Sequence, residues 1–261
     1  MSQIGKLVSA WRYPVKGMRG EAMDEMFVSF SGVYGDRVYG FRSPGAMPGF
    51  PYHTAREQEE LLLYKPRFKN AAAAAQPPNL GEAQAIAPGI TPIFADRSCF
   101  TVDVETPDGR VVSIEDPQLL DVLAESRDDG AKVTLAYSER PMTDCRPLSM
   151  FSVSTARQLG EETGQDIDIR RFRANLCVDF DAGGFAENDL VGKTIKIGDT
   201  VTLAIIERDP RCKMIALDPE TADHEPKILQ HLTQAHEGYA GVYAAVLVEG
   251  IVRPGDPITL A

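Results

Sequence analysis

Alternating apolar and polar positions carry most of the signal in this chain. KLVSAWRYPV (6–15), EAMDEMFVSF (21–30) and DRVYGFR (36–42) are rich in β-branched and aromatic residues, and Gly-containing turns separate them, which predicts short strands. Alternation returns in CFTVDVETPDGRVVSI (99–114), where Pro107-Asp108-Gly109 supplies a hairpin turn, and a further strand is expected at KVTLAY (132–137). Between these two, Asp116-Pro117 opens a helix whose Leu119, Leu120 and Leu123 share one face. Ser154 to Thr163 has helical composition, a hydroxyl residue to cap it and Gly164 to end it. RFRANLCVDF (171–180) predicts another strand. IGDTVTLAI and PGDPITL repeat Gly-Asp-x-Val/Ile-Thr-Leu, each a tight turn that launches a strand, and two such hairpins fit a closed barrel. Ile228, Leu229, Leu232 and Ala235 recur at helical spacing, so an amphipathic helix packs on that barrel. The pattern implies a mixed, β-rich fold. A barrel-like α+β half over residues 1–138 would pack on a second β-barrel with a few helices over residues 139–261.

One segment breaks the pattern. From Asn70 to Asp96 an alanine run meets Pro77, Pro78, Pro88 and Pro92 with little periodicity, and it reads as a long surface excursion. Composition narrows the class. The 261 residues are 43% hydrophobic and 25% charged, as in globular proteins. The apolar runs are too short to span a bilayer, and MSQIGKLVSAWRYPVKG lacks the apolar core of a secretory signal, so a bacterial-type cytoplasm is expected. A formal charge of −11 disfavours nucleic acid and anionic membranes as partners. Positive charge is nevertheless uneven: residues 1–56 carry Lys6, Arg12, Lys16, Arg19, Arg37, Arg42 and Arg56 against Glu21, Asp24, Glu25 and Asp36, which leaves room for a local anion site. Cys99, Cys145, Cys177 and Cys212 form no CxxC pair, so neither a zinc knuckle nor an iron–sulfur cluster is suggested.

Cys212 is the sharpest chemical candidate. In ERDPRCKMIALDPETA (207–222) it follows the strand-like run Val201 to Ile206, with Arg208, Arg211 and Lys213 around it. Neighbouring cations favour a thiolate, which is a nucleophile or a soft metal ligand. The competing reading is a half-buried thiol filling a gap. Cys99 and Cys177 sit among apolar residues as core thiols, and Cys145 lies in the polar loop TDCRP. Lys16 in YPVKG, Arg37 in GDR, Arg56 in TARE and Arg173 in RFRAN each lie near a turn; gathered in one cleft they would bind phosphate. Spacing alone does not gather them. Thr54 and Asn175 could add neutral hydrogen bonds. His53, His224, His231 and His236 have no triad or zinc spacing, and His231 and His236 read as solvent-facing. GxGxxG, GxxxxGK[ST] and GxSxG are absent.

Taken in order, YPVKG, GDRVYGF, TARE, RFRANLCVDF, GFAENDLVGKTIKIGD, PRCKMIALDPETA and VRPGDPITL resemble one family. The chain is similar to proteins carrying the molybdenum cofactor sulfurase C-terminal (MOSC) domain behind its usual N-terminal β-barrel domain, as in the mitochondrial amidoxime-reducing component and its bacterial relatives. The resemblance spans nearly the whole chain. It implies a molybdenum cofactor (Mo-molybdopterin) between the two halves, with the pterin dithiolene and Cys212 on the metal. It turns Lys16, Arg37, Arg56 and Arg173 toward the pterin phosphate and its surroundings, and puts Thr54, Asn175 and Asp144 nearby. The implied activity is two-electron oxygen-atom transfer that reduces small N-hydroxylated compounds, with Asp144 or Asp218 relaying protons. Electrons would come from a separate donor protein of ferredoxin, flavodoxin or cytochrome type.

Three positions depart from the family pattern. Ala174 stands where Pro is usual, Asp209-Pro210 where Pro-Cys or Ala-Cys is frequent, and Gly17 where Ser is frequent. Two alternatives therefore stay open. The chain could carry the cofactor, or a Cys212 persulfide, to a client enzyme. It could also be a binding barrel that has lost the cofactor.

Overall fold

A computed structural model of the chain describes residues 2–44, 50–87, 93–125 and 132–261. The first half contributes β1 (Gln3–Arg12), β2 (Glu21–Met23), β3 (Met26–Ser29), β4 (Gly32–Val33), β5 (Tyr39–Arg42), β6 (Tyr52–His53), β7 (Lys65–Phe68), helix α1 (Leu80–Ile86), β8 (Val102–Glu105), β9 (Val111–Ser113), helix α2 (Pro117–Glu125) and β10 (Thr134–Tyr137). The second contributes β11 (Leu148–Ser152), helix α3 (Val153–Thr163), β12 (Leu176–Phe180), β13 (Thr194–Ile197), β14 (Val201–Pro210), helix α4 (Pro226–Ala235), β15 (Tyr239–Val248), β16 (Gly250–Val252) and β17 (Pro257–Leu260). The β-rich pattern and the three helices expected from the sequence are all present.

Seven strands close into a barrel in the order β12-β11-β15-β14-β13-β17-β1. Closure depends on β1, which pairs with β17 near Gln3–Lys6 and with β12 over Gly5–Ala10. The first strand of the chain thus completes a barrel otherwise built from the second half, and no barrel edge is left unpaired. Gly5 permits the close pass, because a Cβ there would meet the Asp179 carbonyl oxygen at 2.3 Å. Leu7, Val178, Ile195, Leu203 and Val242 fill the barrel interior. A further pairing of β3 with β16 also joins the halves.

β2 pairs with β1, and the remaining strands form three small sheets: β16-β3-β4, and β10-β5-β6 and β7-β8-β9 around a second core that includes Val15, Phe41, Phe100 and Leu123. Leu217 from the second half is buried in that same core. A third cluster holds α3 and α4 to the barrel through Phe151, Leu159, Ile215, Ile228 and Leu232, with Phe151 stacked on Phe172 at 3.8 Å. The Ser152 hydroxyl caps α3 by accepting from Ser154 N at 3.2 Å, and Gly164 at φ 69° ends it.

The segment expected to be a surface excursion is partly built into the core. Ala74, Leu80 and Ala83 are buried, and the Ala74 carbonyl accepts from the guanidinium of Arg12, which is itself 2% exposed and lies 4.5 Å over Phe68. Small and leucine side chains let this stretch cover the Phe68–Phe100 layer even without a long helical period. Pro88 and Pro92 lie outside the described residues. Among the described residues no helix is long and apolar enough to cross a membrane.

Candidate functional site

A cleft of about 770 Å³, including its part open to solvent, lies at the meeting of the two halves. Lys16, Arg37, Thr54 and Arg56 line it from the first half; Asp144, Arg173, Asn175 and Cys212 line it from the second. Every residue singled out from the sequence as a binding or catalytic candidate, Asp218 excepted, therefore faces one space.

Buried contacts hold the cations there. Arg37 and Arg173 both adopt left-handed backbone, at φ 46° and 51°, which costs a non-glycine residue roughly 1–2 kcal/mol. Their guanidinium carbons lie 4.6 and 4.4 Å from the centre of one ring, that of Tyr13. Fully buried Asp36 pairs with Arg37 and accepts the Tyr13 backbone N–H at 2.8 Å. Arg37 Nη2 donates to the Arg173 carbonyl at 3.1 Å, and Arg173 Nη2 to the Met18 carbonyl at 2.7 Å. Burial pushes the Arg173 guanidinium down to about 10.

Lys16 Nζ donates to the Met142 carbonyl at 2.7 Å and to Asp144 Oδ1, with the rings of Phe50 and Tyr52 at 5.1 and 4.9 Å. Burial lowers the Lys16 pKa despite the opposing pull of Asp144. Burial works the other way on Asp144, but Lys16, Arg37 and Arg56 outweigh it and hold that carboxyl below its ordinary value. Arg56 stacks on Phe50 at 3.8 Å, and its buried Nη2 has no hydrogen-bond partner. Among the described residues neither Arg56 nor Arg173 forms an ion pair. Asn175 acts as a local tie: its Oδ1 accepts from the Ser149 hydroxyl at 3.2 Å and its Nδ2 donates to the Trp11 carbonyl at 3.2 Å.

Cys212 is half-buried and sits where β14 ends, with its carbonyl starting the 3₁₀ turn Lys213–Ala216. The basic residues beside it in sequence are occupied elsewhere. Arg208 pairs with Glu237, Lys213 pairs with Glu59, and Arg211 donates to the carbonyls of Ala240 and Phe172. Apart from Arg211, the cations sharing the cleft with Cys212 come from distant sequence. Sequence reasoning also missed Asp209, Arg211 and Tyr243, which line the same cleft. Burial pushes the Asp209 carboxyl up, although Arg211 at 2.9 Å and a Tyr243 hydrogen bond pull against it. Asp209 is buried on the same alternation as Val201, Leu203 and Ile205, although the β14–β15 register shifts between Ile205 and Glu207 and between Arg208 and Pro210.

Other candidates fall outside. Asp218 is a turn residue, accepting from Glu220 N at 2.8 Å and Thr221 N at 3.0 Å. Cys177 is buried, with its thiol pushed up to about 11 by burial; Cys145 is exposed, and Cys99 is half-buried in the 3₁₀ turn Arg97–Phe100 rather than in a strand. His231 and His236 are not simply solvent-facing: both contact Glu162. Gly17 has φ +91°, and a Cβ there would meet Thr54 Cα at 3.1 Å, so this backbone disfavours any larger residue at that place.

A family model described as the MOSC domain matches residues 138–259. No curated protein matches the chain. Among solved structures, the YuaD protein of Bacillus subtilis is similar at 14% identity and a TM-score of 0.49, over 97% of this chain and 93% of that one. YiiM from Geobacillus stearothermophilus is similar at 20% identity and a TM-score of 0.36, over 44% of this chain and 54% of that one. YiiM from Escherichia coli gives 19% identity and a TM-score of 0.34 over the same shares.

Proposed function

With residues 138–259 a MOSC domain, a type associated with the molybdenum cofactor, we propose that the cleft holds that cofactor and that the protein reduces N-hydroxylated compounds. The observation that carries this reading is the convergence of Cys212 with Lys16, Arg37, Arg56 and Arg173 on one cleft. The donor set fits the group. Seven Lys or Arg and two Asp line the cleft, so a chain of net charge −11 concentrates cations where an anionic pterin phosphate would need them. The buried Nη2 of Arg56, which has no hydrogen-bond partner, is a donor awaiting an acceptor. Cys212 is the only cysteine lining the cleft among the described residues, and soft sulfur suits the metal.

When bound, the cofactor supplies two-electron oxygen-atom transfer. The chain's residues supply position and protons. Arg37, Arg56, Arg173 and Lys16 bind and orient the phosphate end, while Thr54 and Asn175 shape the wall beside it. Removing oxygen from R–NHOH consumes two protons and two electrons and releases water. Asp144, held ionised by Lys16, is poorly suited to deliver a proton. Asp209, whose hold on a proton is strengthened by burial, is the better store. The electron donor is a separate protein in this reading.

The test uses protein purified from a host that makes the cofactor, an artificial reductant and an N-hydroxylated amidine. Amidine formation that disappears in Cys212→Ala supports the proposal. No turnover by cofactor-loaded protein, together with transfer of its cofactor to an apo-enzyme, would replace it with a carrier.

A further inference from the structure

Outside the cleft, three donor atoms meet between α3 and the end of α4. His231 Nε2 and His236 Nε2 lie 2.8 and 2.7 Å from the same oxygen, Glu162 Oε2, and all three donor atoms lie within 4.8 Å of one another. The other carboxylate oxygen is already held: Gln158, one helical turn earlier, donates to Glu162 Oε1 at 2.8 Å. Phe185 stacks on His236 with ring centres 3.9 Å apart and planes 16° apart, which fixes the imidazole's orientation. We infer that Glu162, His231 and His236 form a binding site for a divalent cation of the zinc class, tying α3 to the C-terminal end of α4.

The donor chemistry selects the cation. Mg²⁺ and Ca²⁺ take oxygen ligands, whereas two imidazoles and a carboxylate suit Zn²⁺, with water in the fourth position. Ligand atoms around tetrahedral zinc stand about 3.3 Å apart. The two carboxylate–imidazole spacings need to open by about half an ångström, and the imidazole nitrogens, already within 4.8 Å of each other, must settle at the same separation. Gln158 is a positioning residue, since a hydrogen bond to the non-ligating oxygen orients the ligating one. Without a cation each neutral imidazole must present an N–H to the shared oxygen. A bound cation takes the place of those hydrogens at Nε2. The neighbouring face of α4 buries Ile228 and Leu232 in one cluster with Ile215, three residues after Cys212. A cation at this clamp therefore also stiffens the support of the turn that follows the cysteine.

The test titrates EDTA-stripped full-length protein with Zn²⁺ alone and with Co²⁺ alone. One cation per chain is expected. The Co²⁺ spectrum should have tetrahedral d–d bands and no sulfur charge-transfer band, which separates this site from Cys212 and Cys145. Affinity should fall more than 100-fold in His231→Ala/His236→Ala and in Glu162→Gln, and about tenfold in Gln158→Ala. These side chains lie at the surface, and circular dichroism checks that each variant folds. No binding by the parent protein, unchanged affinity in the folded variants, or a sulfur band in the Co²⁺ spectrum would overturn the assignment.

Discussion

Replacing Asp36 by Asn tests whether the cleft's cations depend on a buried counter-charge. Asp36 is fully buried, accepts Tyr13 N–H at 2.8 Å and pairs with Arg37. Asparagine keeps the volume, and its oxygen can still serve Tyr13. Its NH₂ then faces the Arg37 guanidinium, donor against donor. Arg37 remains beside the Tyr13 ring with Arg173 on the same ring, two cations without an acid between them. Removing one partner of a buried pair costs about 3–5 kcal/mol, because the other charge stays buried and unpaired. At roughly 2–4 °C per kcal/mol for a chain of this size, the melting point should drop by about 6–20 °C. Urea unfolding followed by circular dichroism and by Trp11 fluorescence would measure the loss and check that both probes report one transition. Asp36→Asn/Arg37→Met removes both charges and should recover at least about 2 kcal/mol of the Asp36→Asn loss. A loss below about 1 kcal/mol for Asp36→Asn, or simple additivity in the cycle, would refute the reasoning.

Three further outcomes follow from the geometry. Gly17→Ala should lose about 1–3 kcal/mol in urea unfolding, since a φ of +91° strains any L side chain and a Cβ would press on Thr54 at 3.1 Å; an unchanged midpoint contradicts this. In timed alkylation at pH 8 read by mass spectrometry, the native protein should label Cys212 and Cys145 well before Cys177. Raising a thiol from 9.0 to about 11 cuts its thiolate fraction about 100-fold before burial is counted, so equal labelling would be contradictory. On Asp168, burial pushes upward but Arg170 outweighs it, and Arg170 also lowers Glu220. Such depressed carboxyls add stability above the ordinary carboxylate range and lose it as the solution is acidified through their folded values. Stability should therefore fall below about pH 4, and less steeply in Arg170→Met; an identical slope in the variant would count against this pairing.

The sequence made the strands legible because their alternation and turns are local signals. The helices α2 and α4 were legible through their apolar spacing, and α3 through its composition, cap and terminal glycine. What it hid was three-dimensional placement. No period tells that β1 leaves the first half to close a barrel of the second, since its pattern would suit either. Convergence of Lys16, Arg37, Arg56 and Arg173 was likewise invisible in their spacing, and only resemblance suggested it. Asp209 escaped notice because an aspartate next to Pro210 at the end of β14 reads as a turn residue, although it is buried on the same alternation as Val201, Leu203 and Ile205. Arg211 looked like a neighbour poised to stabilise Cys212, yet most of its guanidinium is committed to backbone carbonyls. The contact of His231 and His236 with Glu162 depends on two helices packing together, a relation 69 and 74 residues apart in the chain.

The most direct measurement is a sulfur count at molybdenum by X-ray absorption, on protein from a cofactor-competent host and on its Cys212→Ala variant. The account predicts two pterin sulfurs and one protein sulfur in the parent, with one sulfur fewer in the variant. The same count in both, or no molybdenum in the parent, would contradict it.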